Sequence, residues 1–226
     1  MVSCFAAQRY RQNQAFRPAR CQTEIMHDET YASAAHAFAD LVARLPQGRW
    51  AESGLGEWDL RSLVGHTSRA LITVDAYLDK PADEAVVTSV AQYYVLSSQA
   101  ASGVDPHAIT ERGRVAGRAL GDDPAAAVRE LVDRVLAKLA GADDSIIETI
   151  AGGMYTSVYL PTRTFELAVH SRDIARAAGI EAELPEAVVR AAALMATDIA
   201  VELGRGAEVL DALTGRVALP ADFSVV

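Results

Sequence analysis

Apolar residues recur at intervals of three and four positions through most of this chain from about residue 27 onward. This spacing gathers them on one face of a helix with 3.6 residues per turn, so it predicts a series of amphipathic α-helices. The first helix is predicted from about His27 to Arg44 and the second from about Asp59 to Leu78. Pro46 and Pro81 follow them, where proline commonly ends a helix. The apolar stripe of the first helix consists of Tyr31, Ala34, Ala35, Phe38, Leu41, Val42 and Leu45.

The middle of the chain is less regular. Residues 83–141 are predicted to hold two or three further helices. The segment 145-SIIETIAGGMYTSVYL then differs in composition, because two stretches rich in β-forming residues flank Gly152 and Gly153. Such a pattern fits either a small hairpin or an extended crossover, and both interpretations stay open.

Three helices are predicted for the rest of the chain. The first covers 161-PTRTFELAVHSRDIARAAG, with Pro161 in its first turn and Gly179 just past its end. A second runs from Pro185 to about Leu203, and a short third from Ala207 to Leu213. We therefore expect an all-α fold, with one helical domain over residues 26–226.

Residues 1–25 have a different character from this domain. They are rich in Arg and Gln and lack a convincing amphipathic period, so we expect a flexible extension. Met26 begins a stretch typical of a domain start, which suggests it as the true start codon. Both cysteines, Cys4 and Cys21, lie in the extension. The domain is therefore expected to have neither a disulfide framework nor cysteine ligands for zinc.

Composition and charge narrow the classes of function. Hydrophobic residues make up 50% of the chain and aromatic residues 6%, which favours closely packed helices over a β-sandwich. The net charge of −9 argues against nucleic acid as a partner, because phosphate backbones would be repelled. No stretch approaches the roughly 18 consecutive apolar residues of a membrane span, and the opening segment lacks the apolar region of a secretory signal. We expect a cytoplasmic protein without a membrane partner.

The helix after Pro161 carries an unusual polar face. At 100° per residue, Glu166, His170 and Asp173 fall on the same side as apolar residues that ought to be buried. Burying an unpaired charge costs several kcal/mol, so something must compensate there. One interpretation is a polar cluster, in which Glu166 bonds to His170 and Asp173 pairs with an arginine. The other is a metal ion, because side chains at i and i+4 can both reach one ion.

A metal ion would need a third ligand from elsewhere in the chain. The candidate is His66, which lies mid-helix in 58-WDLRSLVGHTSRALITVDAYL at the border of the buried face. A histidine there is either a core residue bonded to a carbonyl or a ligand. Two imidazoles and one carboxylate would make an open site, since structural zinc is usually closed by four protein ligands.

Two segments of the chain, 58-WDLRSLVGHTSRAL and 161-PTRTFELAVHSRDIARAAG, resemble the N-terminal, metal-binding domain of actinobacterial mycothiol-dependent maleylpyruvate isomerases. That domain belongs to the DinB-like superfamily. Its pattern is a Trp-x-x-x-x-Leu-x-x-His helix followed far downstream by a Glu-Leu-x-x-His helix and an Asp. The closing 212-ALTGRVALPADFSV is also similar to the end of such a domain, so the resemblance covers about residues 28–226.

The resemblance implies a four-helix bundle with a divalent metal bound by His66, Glu166 and His170, between helices near one end. Zinc is the expected metal, with iron or nickel as alternatives, and mycothiol is the expected thiol cosubstrate. Other family members carry an additional C-terminal domain that contributes to isomerase activity. These 226 residues do not contain it, so maleylpyruvate isomerisation itself does not follow from the resemblance.

Three further residues are candidates for supporting roles around the site. Asp173 is a candidate acceptor for a ligand imidazole, with an arginine as its alternative partner. Arg163, one turn before Glu166, is a candidate contact for an anionic substrate, with a solvent-exposed position in the first turn as its alternative. Trp58 is expected to pack at the helix start and not to touch a ligand.

These features favour a metal-dependent, mycothiol-using transferase or isomerase that acts on a small electrophilic substrate. The alternative is a non-catalytic metal-binding helical bundle with a stress or regulatory role. A third interpretation is a purely structural bundle with buried polar pairs. Bundles of this kind often dimerise, so a homodimer is possible in each case.

Overall fold

The computed structural model describes residues 22–101 and 105–226. The predicted extension, including Cys4 and Cys21, lies outside the described residues except for positions 22–25, which begin the first helix. No helix of the described ranges combines the length and apolar character needed to cross a membrane. The elements in chain order are α1 (Gln22–Ala43), a 3₁₀ turn (Gln47–Arg49), α2 (Leu60–Tyr77), α3 (Val90–Ala101), α4 (Pro106–Ala119), α5 (Pro124–Gly141), β1 (Ile146–Thr149), β2 (Gly152–Tyr155), α6 (Thr156–Ala178), α7 (Glu186–Glu202) and α8 (Gly206–Leu213).

A bundle of four helices, α1, α2, α5 and α6, forms the core, as the family resemblance implied. α1 packs against α5 and α6, and α2 packs against the same two helices, so α1 and α2 lie diagonally opposite. α4 covers the outer side of α2, while α3 and α7 pack on α6 and on each other. All seven residues of the stripe predicted for the first helix are buried. The burial confirms that the 3.6-residue period identified the inner face.

Three helices begin where an aspartate caps them. The side chains of Asp59, Asp105 and Asp123 accept hydrogen bonds from backbone amides in the first turns of α2, α4 and α5, at 2.7, 2.9 and 3.0 Å. These bonds satisfy amides that have no partner within the helix. The caps explain why α2 begins within a residue of its predicted start and why residues 83–141 divide into three helices.

The start of α6 at Pro161 was predicted wrongly. The helix begins five residues earlier, at Thr156, and Pro161 lies inside it. The cap comes from Asp144, whose carboxylate accepts bonds from the backbone N and the Oγ of Ser157, both at 2.8 Å. Pro161 has no N–H to donate to the Ser157 carbonyl, so it removes one helical hydrogen bond. The distant cap and the burial of Tyr159 and Leu160 keep the first turn helical.

The segment around Gly152 and Gly153 is a hairpin, not a crossover loop. Its strands are antiparallel, with Thr149 opposite Gly152, so the turn consists of residues 150 and 151 and both glycines belong to β2. A Cβ on Gly153 would lie 2.1 Å from the carbonyl oxygen of Glu84. Glycine is therefore required there because another segment of backbone passes close to it.

α4 approaches α2 so closely that backbone touches backbone. A Cβ on Gly65 would lie 2.1 Å from the backbone nitrogen of Gly117, and one on Gly117 would lie 2.7 Å from the carbonyl oxygen of Arg61. The Arg61 guanidinium donates to the carbonyls of Gly117 and Gly121 at 3.1 and 2.9 Å. These contacts fix α4 beside residue 66 of α2.

We predict that Gly65→Ala lowers the free energy of unfolding by about 1–3 kcal/mol, because the added methyl group forces two helix backbones apart. Gly141→Ala is the matched control, since Gly141 is also helical and a Cβ there meets no atom within 4 Å. The control should be neutral or stabilising by up to about 1 kcal/mol. Urea unfolding followed by circular dichroism measures both, and equal effects would contradict the close contact.

Candidate metal centre

The bundle brings together the three side chains that the sequence identified as candidate ligands. His66 projects from α2, and Glu166 and His170 project from α6, one turn apart. One donor atom from each of the three lies within 4.8 Å of the others. The rings of His66 and His170 meet edge to face, with centroids 4.9 Å apart. The adjacency of α2 and α6 in the bundle therefore creates a compact group of two imidazoles and one carboxylate.

His170 is oriented by a carboxylate on each side. Its Nδ1 lies 3.2 Å from Oδ2 of Asp173, and its Nε2 lies 3.4 Å from Oε2 of Glu166. The other oxygen of Asp173 accepts a hydrogen bond from Arg176 at 2.9 Å. Asp173 thus holds Nδ1 and turns Nε2 toward the centre, as acceptors beside ligand imidazoles do. Both partners considered for Asp173 from the sequence, an imidazole and an arginine, are present.

Tyr94 of α3 holds the carboxylate of Glu166 from the opposite side. Its hydroxyl lies 2.9 Å from Oε1 of Glu166, to which it donates, and 3.1 Å from the carbonyl oxygen of Thr162. The bond to Oε1 leaves Oε2 directed at His170. Sequence reasoning missed Tyr94, because a tyrosine in an apolar helix carries no local sign of which neighbouring helix it will contact.

Trp58 packs at the start of α2, and there it contacts His66, one of the candidate metal-binding residues. Its indole lies on the ring of His66, with centroids 4.3 Å apart and an angle of 30° between the planes. The indole N–H donates to the carbonyl of Thr110 in α4 at 2.9 Å. A Cβ on Gly113 would lie 2.7 Å from this indole. Gly113 therefore leaves room for the tryptophan that covers His66.

The two histidines of the group have pKa values shifted in opposite directions. Burial and the neighbouring His170 lower the pKa of His66 to about 4, so its imidazole is neutral at physiological pH. Burial also lowers the pKa of His170, but hydrogen bonds to Asp173 and Glu166 outweigh it and raise that pKa to about 9. Burial raises the pKa of Glu166, yet His170, Arg163 and the Tyr94 hydroxyl together lower it to about 2.

These charges show what the site requires. The ionised Glu166 needs a cation beside it, and without metal the proton on His170 fills that need. The Glu166–His170 and Asp173–Arg176 pairs of the polar-cluster interpretation are thus both present. That interpretation gives no role to the neutral ring of His66, which faces the same point.

The donor set fits a divalent metal ion. Neighbouring ligands around a tetrahedral zinc are separated by about 3.4 Å, and Nε2 of His170 already lies 3.4 Å from Oε2 of Glu166. The side chains of these two residues are only 16% and 23% exposed. Three protein ligands would leave at least one position for water or substrate.

Arg163 is not solvent-exposed in the first turn of a helix, which was one of the two positions considered for it. It is buried in α6, with its guanidinium between the rings of Tyr93 and Tyr159 at 5.2 and 4.9 Å. Its Nε donates to Oγ1 of Thr162 at 2.9 Å. The arginine is therefore a fixed cation of the interior, one helical turn from Glu166.

Comparison with known proteins gives one match. The family model described as the mycothiol maleylpyruvate isomerase N-terminal domain matches residues 31–175, a range that contains all three candidate ligands. No curated protein and no solved structure matches the chain. The mostly helical architecture agrees with the DinB-like fold expected from the sequence.

We predict that Tyr94→Phe weakens divalent-metal binding by about 10- to 100-fold, because the hydrogen bond that orients Glu166 is lost. Tyr93→Phe is the matched control: it removes the neighbouring hydroxyl of the same helix, which lies against Tyr159 and Arg163 and does not bond to Glu166. Competition with a chelator of known affinity measures both. Equal affinities for the two variants would contradict an orienting role for Tyr94.

Metal affinity should also rise with pH. A pKa of about 9 for metal-free His170 means that its imidazole carries a proton at pH 7, which a metal must displace. His66 and Glu166, with pKa values of about 4 and 2, have no proton to release there. We expect affinity to increase about tenfold per pH unit from pH 7 to 9 and then to level off. Chelator competition across this range tests it, and a flat profile would refute it.

Proposed function

Because the chain belongs to the mycothiol maleylpyruvate isomerase N-terminal domain family, we propose that it is a metal-dependent enzyme that uses a low-molecular-weight thiol to transform a small electrophile. The observation that carries the proposal is the convergence of His66, Glu166 and His170 within 4.8 Å. The proposed ligands are these three residues, and the proposed metal is zinc, with iron or nickel as alternatives for the same donors.

The thiol would have to come from outside the domain. Residues 22–226 contain no cysteine, and the two in the chain are Cys4 and Cys21. A divalent ion in the centre would lower the pKa of a bound thiol, so that the sulfur is present as thiolate near neutral pH. The family name supports mycothiol as that thiol.

The residues of the chain have distinct tasks in this proposal. His66, which burial keeps neutral, offers a nitrogen lone pair without first losing a proton. Asp173 holds Nδ1 of His170 and Tyr94 holds Oε1 of Glu166, so both ligands are aimed before anything binds. The Trp58 indole covers the His66 ring and keeps water from that side. The coordination positions that the three protein ligands leave would take the thiol and the electrophile.

Metal analysis is the first test of this function. We expect about one equivalent of divalent metal in the protein purified without chelator. His66→Ala and Glu166→Gln should each lose most of it, because two ligands alone bind weakly. His36→Ala is the control, since His36 is an exposed histidine of α1. Retention of metal by both site variants would refute the ligand set.

Turnover is the second test. Metal-loaded protein should accelerate the reaction of mycothiol with a bimane electrophile, and His66→Ala should return the rate to that of the uncatalysed reaction. Bound metal without acceleration would instead favour the non-catalytic metal-binding protein with a stress or regulatory role. Absence of metal from the wild-type protein would favour the structural bundle, whose buried polar pairs need no ion.

A further inference from the structure

The outer side of α7 and α8 has an apolar surface that the described part of the chain leaves uncovered. Of the fifteen large hydrophobic residues that are exposed within residues 22–101 and 105–226, nine lie between positions 189 and 226. None of the eight residues of α8 is buried, although the helix contains Val209, Leu210 and Leu213. A surface helix normally buries its apolar face against the protein. This concentration of exposed apolar residues therefore indicates an interaction surface.

Four of these residues form one continuous stripe. Leu194 and Val201 are seven positions apart on α7, so they lie on the same face. The start of α8 contacts this face, because a Cβ on Gly206 would lie 2.9 Å from Cγ2 of Val201. Leu210 and Leu213 follow Gly206 at i+4 and i+7, on one face of α8. We call Leu194, Val201, Leu210 and Leu213 the α7–α8 stripe, and its members are 55–76% exposed.

A groove lies beside the α7 end of this stripe. It has a volume of about 820 Å³ and is lined by residues of α3, α6 and α7, among them Val90, Pro161 and Met195. Leu194 and Val201 belong both to the stripe and to the lining of the groove. The chain thus presents an apolar groove and, directly next to it, a row of exposed apolar side chains. A second copy of the chain has what the groove lacks, and lacks what the stripe needs.

Charged side chains on the two parts of this surface are complementary as well. Arg190, Asp198 and Glu202 line the groove, whereas Asp211 lies in α8 and Arg216 follows it. Within the described residues, none of these five side chains forms an ion pair. Both signs of charge occur at the groove and at α8. Two copies that place α8 of one in the groove of the other can therefore pair opposite charges twice.

We propose that the groove and the α7–α8 stripe form a symmetric dimer interface, in which α8 of each copy lies in the groove of the other. Because groove and stripe meet at Val201, a two-fold axis near this residue brings each stripe to the partner's groove. The four residues of the stripe expose roughly 400 Å², about half of the ~800 Å² that each partner contributes to a stable interface. The walls of the groove supply further area. Both halves of the contact belong to one chain, which favours a second copy over a different protein as the occupant.

The interface lies away from the candidate metal centre. Pro161 of the groove and His170 are nine positions apart on α6, which at 100° per residue places them on opposite sides of the helix. Dimerisation of this kind would leave the group of His66, Glu166 and His170 uncovered. The inference is therefore independent of the proposed function, and metal binding or turnover does not decide it.

Sedimentation analysis over a range of concentrations tests the dimer. We expect the wild-type protein to dimerise in the micromolar range. Leu213→Glu should weaken dimerisation about 100-fold or more, because each copy would bury an unpaired charge. Val115→Glu is the matched control, since Val115 is 51% exposed on α4, outside the stripe and the groove. Circular dichroism checks that both variants fold. A monomeric wild type, or equal dimerisation of the two variants, would overturn the proposal.

Mixing two variants tests whether stripe and groove contact each other. Ala191→Glu places a charge in the groove and should also weaken dimerisation. A pair formed by one Leu213→Glu copy and one Ala191→Glu copy keeps one intact stripe and groove. The equimolar mixture should therefore associate about tenfold more tightly than either variant alone. If Ala191→Glu fails to fold, Ala187→Glu replaces it, because Ala187 is an exposed residue of the same groove. A mixture no tighter than the separate variants would mean that the two stripes contact each other, and would overturn the docking of α8 in the groove.

Discussion

The ionised carboxylate of Glu166 lies inside the bundle, and the free energy of keeping that charge there governs its surroundings. Burial alone would raise its pKa, yet the neighbours of the carboxylate lower it to about 2. The stabilising groups come from two helices: His170 and Arg163 lie one turn to either side of Glu166 on α6, and Tyr94 reaches it from α3. Since Tyr94 reaches Glu166 only when α3 packs on α6, the site and the packing of the helices depend on each other.

The three candidate ligands could be predicted because local spacing carries much of the information. Glu166 and His170 are one turn apart, which any helix makes neighbours. The apolar pattern of α2 fixes the face on which His66 lies. The apolar period of either helix does not predict that α2 and α6 pack against each other, because that contact is a property of the whole bundle. The family pattern supplied that pairing, and the distance of 4.8 Å agrees with it.

The residues that sequence reasoning missed depend on contacts between distant segments. Tyr94 reaches Glu166 from another helix, and Trp58 lies on His66 because Gly113 of α4 leaves space for it. Asp144 caps α6 from outside the helix, so the rule that places proline in a first turn gave the wrong start. Gly153 is needed by the passing backbone of Glu84 and not by a turn. In each case the deciding partner is remote in the sequence.

The contact between Gly65 and Gly117 shapes the wall beside the candidate metal centre. With no side chain between them, the backbones of α4 and α2 are in direct contact, and the indole of Trp58 is enclosed against the ring of His66. A larger residue at either position would force α4 away from α2, and the contact between Trp58 and His66 would open. The two glycines therefore keep the aromatic wall beside the centre closed in this chain.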